Sequence, residues 1–123
     1  MSLKGNVLHA SFTVMGGFMQ PQGHVQVLCN LLLFSMTPQR ALDVPRFCIG
    51  SGHMGSEGKV VSVEDGVDST VIKELEEKGH TVRIVSGHAR SLFGRGQIIV
   101  QNPHNAVLSG GSDGRSDGCV LGY

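Results

Sequence analysis

Apolar and polar positions along this 123-residue chain alternate in a way that predicts strands and helices in turn. A loose alternation over residues 6–15 is typical of a strand, and the apolar run over residues 22–34 has helical spacing. Two adjacent apolar stripes cover much of that helix, so we expect it to be buried. Thr37 and Pro38 then begin a short helix, which Pro45 stops.

The second half of the chain continues with short elements. Asp68 is placed to cap a helix over residues 69–78, and Gly79 is placed to end it. Further strands are predicted over residues 46–49, 59–64, 81–85, 97–101 and 106–109. Because strands come first and last with helices between them, the pattern predicts an α/β (α+β) layered fold in which residues 1–123 form a single domain.

Composition narrows the function classes. Ten Lys and Arg residues balance ten Asp and Glu residues, so the formal charge is zero and gives no electrostatic case for binding nucleic acid. No apolar run approaches the ~20 residues that cross a bilayer, so we expect no membrane segment in this chain. Cys29, Cys48 and Cys119 are an odd number without CxxC spacing, which favours buried free thiols over a disulfide.

Most of the remaining chemical signals are weak. Residues 50–55 fit the G-x-G-x-x-G pattern, but a strand follows them where a dinucleotide site requires a helix. The histidines show no metal-ligand spacing, and no metal or other cofactor is predicted. His24 is the exception among the histidines, because it lies near the start of the apolar helix. Its neutral imidazole could bond the preceding turn and fix it.

The chain is organised around residues 14–27, whose sequence is VMGGFMQPQGHVQV. Gly16, Gly17, Pro21 and Gly23 lie between the predicted strand and helix, so the backbone can turn sharply there and stays open to a ligand. N–H groups at a strand-to-helix turn point outward and can hold developing negative charge.

The run Gly-Gly-Phe-Met-Gln-Pro-Gln-Gly-His-Val-Gln within this stretch resembles the γ-glutamyltransferase family of N-terminal-nucleophile hydrolases. Four later segments carry the same resemblance in order, namely residues 37–47, 75–80, 93–97 and 110–123. The Met-Gln-Pro-Gln-Gly-His sequence is more similar to that of the acylases and amidohydrolases of the family, since typical γ-glutamyltranspeptidases carry Ser-Pro-Gly-Gly at this place. Gly114 departs from the family pattern, which usually has proline at that position.

The resemblance implies the second half of the family's αββα sandwich, and a threonine nucleophile that becomes an N-terminus by self-cleavage. The threonines of this chain are all internal and present no free α-amine to act as a base. We therefore expect the nucleophile upstream of residue 1, and the chain to be a C-terminal fragment of the small subunit that is inactive alone. Its expected partner is the missing N-terminal part of the same protein, and its compartment stays open.

The resemblance also implies that two backbone N–H groups of the turn stabilise the oxyanion of the tetrahedral intermediate. Aligned without a gap, these donors are Met19 and Gln20; aligned with a gap, they are Gly16 and Gly17. The substrate of the parent would be a γ-glutamyl compound or another small amide. The alternatives are a non-catalytic scaffold half and a binding module. Because half of the sandwich would be missing, we expect the isolated chain to self-associate through uncovered strands such as residues 97–101.

Overall fold

The computed structural model describes residues 1–50 and 60–122. The strands are β1 (Ser2–Lys4), β2 (Val7–Met15), β3 (Phe47–Ile49), β4 (Val60–Glu64), β5 (Thr81–Val85), β6 (Arg95–Gln101) and β7 (Leu108–Ser112), and the helices are α1 (Gln20–Leu32), α2 (Pro38–Asp43) and α3 (Ser69–Glu77). The chain divides into two compact units. The first comprises Met1–Val44 and Gly94–Tyr123, and the second comprises Pro45–Phe93. The expected single domain stays a prediction.

The first unit is built on an antiparallel sheet of strand order β1-β2-β6-β7. The central pair is β2 with β6, in a register that places Ala10 opposite Val100 and Val14 opposite Gly96. Alternate residues of these strands point to one face, where they meet α1 and α2. The buried core of this unit consists of Val14, Val27, Ala41, Leu42 and Ile98.

Helix α1 approaches strand β2 closely because residue 23 has no side chain. A Cβ atom at Gly23 would lie 2.7 Å from Val14 Cγ1. The expectation that this helix is buried on most sides is wrong. Of its residues, Gly23 and Val27 are buried, whereas Val25 is 61% exposed and Leu32 is 51% exposed. An apolar stripe on the side away from the sheet therefore stays uncovered in this chain.

Helix α2 begins and ends as its sequence predicts. The Thr37 side chain accepts a hydrogen bond from the Arg40 N–H at 3.3 Å, with Pro38 in the first turn. The helix packs against β6 and β7, and a Cβ at Gly111 would lie 2.6 Å from the Gln39 backbone nitrogen. Glycine in β7 thus allows helix and strand to touch.

The second unit is a three-stranded sheet of order β3-β4-β5. Strands β4 and β5 are parallel, and α3 makes the connection between them. Asp68 caps α3 by accepting from the Thr70 N–H at 2.7 Å, and this hydrogen bond lowers the pKa of the Asp68 carboxyl. Gly79 ends the helix with φ of 87°, as predicted.

The three cysteines are free thiols, as predicted, but their burial differs. Cys48 on β3 is buried, Cys29 is half-buried and Cys119 is exposed, so the expectation of buried thiols is right for Cys48 alone. Burial raises the pKa of the Cys48 thiol, and the positive charge of Arg83 opposes that shift in part. Among the described residues, no helix has the length and apolar content needed to span a membrane.

Candidate functional site

The turn between β2 and α1 is a short 3₁₀ segment entered through two glycines. Strand β2 ends at Met15, Gly16 follows with φ of 144°, and Gly17 has φ of 54° and opens the 3₁₀ turn Gly17–Met19. Helix α1 then begins at Gln20. Both φ values lie in the region that favours glycine, so the glycine pair of the sequence makes this turn possible.

The turn presents open backbone at Gly17. Gly17 is exposed, and a Cβ there would meet nothing within 4 Å. Phe18 is 60% exposed, whereas the Met19 side chain is buried. A ligand could therefore approach the backbone at Gly17 without displacing a side chain.

The backbone N–H groups of the four predicted donors differ in what they bond. The Met19 N–H donates to the Gly16 carbonyl at 3.1 Å, and the Gln20 N–H donates to the Gly17 carbonyl. Among the hydrogen bonds of residues 1–50 and 60–122, none engages the N–H of Gly16 or Gly17. The structure thus brings all four residues together in one turn, with the two glycine donors available.

His24 lies beside this turn and bonds both elements that flank it. The Val14 N–H donates to His24 Nε2 at 3.2 Å, and His24 Nδ1 lies 2.6 Å from the Gln20 carbonyl oxygen. The ring of Phe12 packs edge-on against the imidazole, with ring centroids 6.0 Å apart. The bond to the turn that the sequence suggested for His24 is present.

The C-terminal motif forms a buried ion pair for which the sequence analysis gave no role. Arg115 Nη1 lies 2.9 Å from Asp113 Oδ1, and both side chains are almost wholly buried. Arg115 also donates to the carbonyls of Leu42 and Val44, at 2.8 and 3.1 Å, and the Gly96 N–H donates to Asp113 Oδ2 at 2.7 Å. The pair joins the end of α2 to the start of β6 and so supports the sheet that carries the turn.

A second buried carboxylate lies in the other unit. Glu64 at the end of β4 accepts from the Arg46 N–H at 2.9 Å and pairs with the Arg90 side chain. Arg46 in turn donates to the Phe93 carbonyl at 3.1 Å. These contacts stay within Pro45–Phe93, so they hold that unit together.

Two other sequence features concern ligands. Most of the glycine-rich segment at residues 50–55 lies outside the described residues, together with His53 and Glu57. Within residues 1–50 and 60–122, no group of three or more His, Cys, Asp or Glu side chains is placed to hold a metal ion.

The first unit is thus an antiparallel sheet covered by helices, with a glycine turn leading from a strand into a helix. Comparison with known proteins identifies the family to which such a chain belongs. The family model for gamma-glutamyltranspeptidase matches residues 1–123, and the chain belongs to this family. The glutathione hydrolase-like YwrD proenzyme of Bacillus subtilis is 31% identical over 122 residues, which cover 99% of this chain and 23% of that protein. The oxamate amidohydrolase proenzyme of Klebsiella pneumoniae is 29% identical over 109 residues, covering 89% of this chain and 20% of that protein.

Solved structures agree with this assignment. Cephalosporin acylase from Bacillus halodurans superimposes with a TM-score of 0.86 and 41% identity, covering 98% of this chain and 21% of that one. Gamma-glutamyltranspeptidase from Pseudomonas nitroreducens superimposes with a TM-score of 0.79 at 19% identity, covering 99% of this chain and 59% of that one. The chain thus spans about a quarter or less of the curated relatives it matches.

Proposed function

We propose that this chain supplies the oxyanion turn of an amidohydrolase or acyltransferase whose threonine nucleophile lies in the N-terminal part of the same protein. The parent would form a threonine acyl-enzyme from a small amide and pass the acyl group to water or an amine. The observation that carries the proposal is the backbone of half-buried Gly16 and exposed Gly17 in the turn before α1, in a chain of the gamma-glutamyltranspeptidase family. A preformed pair of N–H groups stabilises an oxyanion without reorganising during the reaction.

The hydrogen bonds that the backbone N–H groups already form within the turn favour one of the two alignments. Met19 and Gln20 already donate to carbonyls inside the turn, so their N–H groups would have to leave these bonds to reach a substrate. The N–H groups of Gly16 and Gly17 have no such competing bond among the described residues. We therefore assign the oxyanion donors to Gly16 and Gly17, the pair that the gapped alignment gave.

Similarity to an acylase favours a small acyl amide over a γ-glutamyl peptide as the substrate of the parent. The 41% identity to cephalosporin acylase exceeds the 19% identity to the Pseudomonas transpeptidase. A γ-glutamyl compound remains the second candidate, since the YwrD relative is described as glutathione hydrolase-like. Comparing kcat/KM of the parent for glutaryl, oxamate and γ-glutamyl amides distinguishes these classes.

The second candidate function is a scaffold without catalytic groups, and a specific contact favours it. A Cβ at Gly16 would lie 2.8 Å from Gly94 Cα, so close packing alone is enough to require glycine at that position. In that case the turn is a packing corner, and the active site of the parent lies elsewhere.

Backbone esters distinguish these possibilities because they remove one N–H and keep the side chain. In the parent enzyme, assembled by protein ligation, glycolic acid at position 17 should lower kcat by about 100-fold or more, as does the loss of an oxyanion donor. The matched control is an ester at Met19, which removes a bond inside the turn. A larger loss at Met19 than at Gly17 would assign the donors to the other pair. Near wild-type kcat for esters at all four positions would favour the packing corner.

A further inference from the structure

His24 bridges the two elements that enter and leave the glycine turn. One ring nitrogen meets the Val14 N–H on β2, and the other meets the Gln20 carbonyl in the first turn of α1. Between these two contacts the chain passes through residues 15–19, which include Gly16 and Gly17. The imidazole therefore fixes the ends of the segment that carries both proposed donors.

The two contacts require one protonation state of the ring. An N–H group donates, so His24 Nε2 must accept from Val14 and carries no proton. The carbonyl oxygen of Gln20 accepts, so His24 Nδ1 carries the proton and donates. The bridge thus exists in the neutral Nδ1–H tautomer, whereas an imidazolium ion has no acceptor for the Val14 N–H.

The position of Val14 explains why the sheet needs this acceptor. Strand β1 pairs with β2 only as far as Ala10, so in the described sheet the later part of β2 has a partner strand on the β6 side alone. His24 supplies the hydrogen-bond acceptor that a neighbouring strand would otherwise provide for the Val14 N–H. A buried or half-buried N–H without an acceptor is costly, and this bond therefore holds β2 against α1.

We infer that His24 is a positioning residue for the oxyanion turn: its hydrogen bonds to Val14 and Gln20 set the direction of the Gly16 and Gly17 N–H groups. This inference rests on the proposed function of the turn. His24 does not touch the substrate, and it acts by fixing the geometry of two backbone donors. Small displacements of such groups lower the rate of the reaction, because the donors must lie where the negative charge of the oxyanion develops.

Three substitutions of His24 in the parent enzyme test the inference. His24→Phe keeps a ring against Phe12 and removes both hydrogen bonds, and kcat should fall about 10–100-fold while KM changes less than about twofold. His24→Gln places an amide oxygen near the former Nε2 position, so it should restore much of kcat. His24→Asn can replace only the donor to Gln20 and should restore less.

A purely structural role for His24 predicts a different result for these three variants. If His24 only packs, all three variants should lose thermal stability in step with activity, and Gln should give no selective rescue. An ester at Val14 removes the same hydrogen bond from the other end and leaves the histidine intact. Its effect on kcat should not add to that of His24→Phe, and additive effects would overturn the inference.

Two further outcomes separate this inference from the proposed function. If the Gly17 ester lowers kcat and His24→Phe does not, the turn holds the oxyanion but His24 does not position it. If neither changes kcat, both ideas fail. The ring ¹⁵N chemical shifts of His24 in the intact protein give a test without turnover, since a protonated Nε2 would contradict the bridge.

Discussion

Gly16 and Gly17 are adjacent, but each must be glycine for a different physical reason. At Gly16 a Cβ would collide with Gly94 Cα, so the limit is space as well as φ. At Gly17 nothing lies within 4 Å, and only the φ of 54° opposes a side chain. The first glycine therefore serves packing, and the second gives an open backbone.

Alanine substitutions should reveal this difference. Gly17→Ala should lower the free energy of unfolding by about 1–2 kcal/mol, the usual cost of the left-handed conformation. Gly16→Ala adds a collision with backbone, so its cost should be higher by about 1–3 kcal/mol. Urea unfolding of both variants measures the two costs, and Gly5→Ala, with φ of 63° and open space, is the matched control for φ alone. Equal costs at Gly16 and Gly17 would contradict the contact with Gly94.

At the scale of residues, the sequence predicted the glycine turn and a bond from His24 to it. It could not predict that Met19 and Gln20 donate within the turn, because that depends on the 3₁₀ geometry of three residues. Nor could it predict the bond to Val14, which depends on where β1 stops pairing with β2.

At the scale of elements, the Asp113–Arg115 pair is a buried polar link between α2, β6 and the C-terminal segment. Its charges are buried, and the Arg115 guanidinium also satisfies the carbonyls at the end of α2. Removing either partner takes this ion pair away from a charge that stays buried, which is more costly than losing one hydrogen bond.

A double-mutant cycle measures this link. Asp113→Ala and Arg115→Ala should each lower the free energy of unfolding by about 3–5 kcal/mol. The double variant should cost less than the two single variants together by at least about 1 kcal/mol, since the loss of their mutual contact is then counted once. Lys73→Ala serves as a surface control, because its contact with Glu77 is 4.0 Å and largely exposed. Additive effects at Asp113 and Arg115 would mean that the charges do not depend on each other.

Most helices and strands could be predicted from the sequence, because the residues that begin and end them locally are compatible with how the elements pack. Thr37 and Asp68 cap helices as expected, and Gly79 ends one. The sequence did not predict strand β1 or the 3₁₀ segment Gly87–Phe93, because neither contains a periodic pattern of apolar residues. Strand β7 begins at Leu108 and not at residue 106, because Ala106 has φ of 57° in the preceding turn.

At the scale of the whole molecule, the uncovered stripe of α1 predicts self-association of the isolated chain. Val25 and Leu32 lie on the side of α1 away from the core and are more than half exposed. Val25→Gln with Leu32→Gln should reduce association in light scattering while changing the free energy of unfolding by less than about 1 kcal/mol. Val27→Gln, at a buried position, is the destabilising control. A wild-type chain that stays monomeric at high concentration would count against the prediction.

Catalysis should be absent from the isolated chain. Thr13, Thr37, Thr70 and Thr81 are internal, so none combines a hydroxyl with a free α-amine. Assays with γ-glutamyl-p-nitroanilide and with oxamate should give rates equal to buffer. Turnover that disappears when a residue of this chain is replaced would show that the chain holds its own nucleophile.

The division of the chain also has a consequence for the order of folding. Pro45–Phe93 is a continuous segment, and its strands pair with each other, so this unit can form as soon as that segment has been synthesised. Strand β2 pairs with β6, with Ala10 opposite Val100, and this pairing closes a loop that contains the entire second unit. Contacts so distant along the chain form slowly. During translation we therefore expect Pro45–Phe93 to fold first, while the edge of β2 that pairs with β6 stays open, beside the glycine turn, until β6 leaves the ribosome.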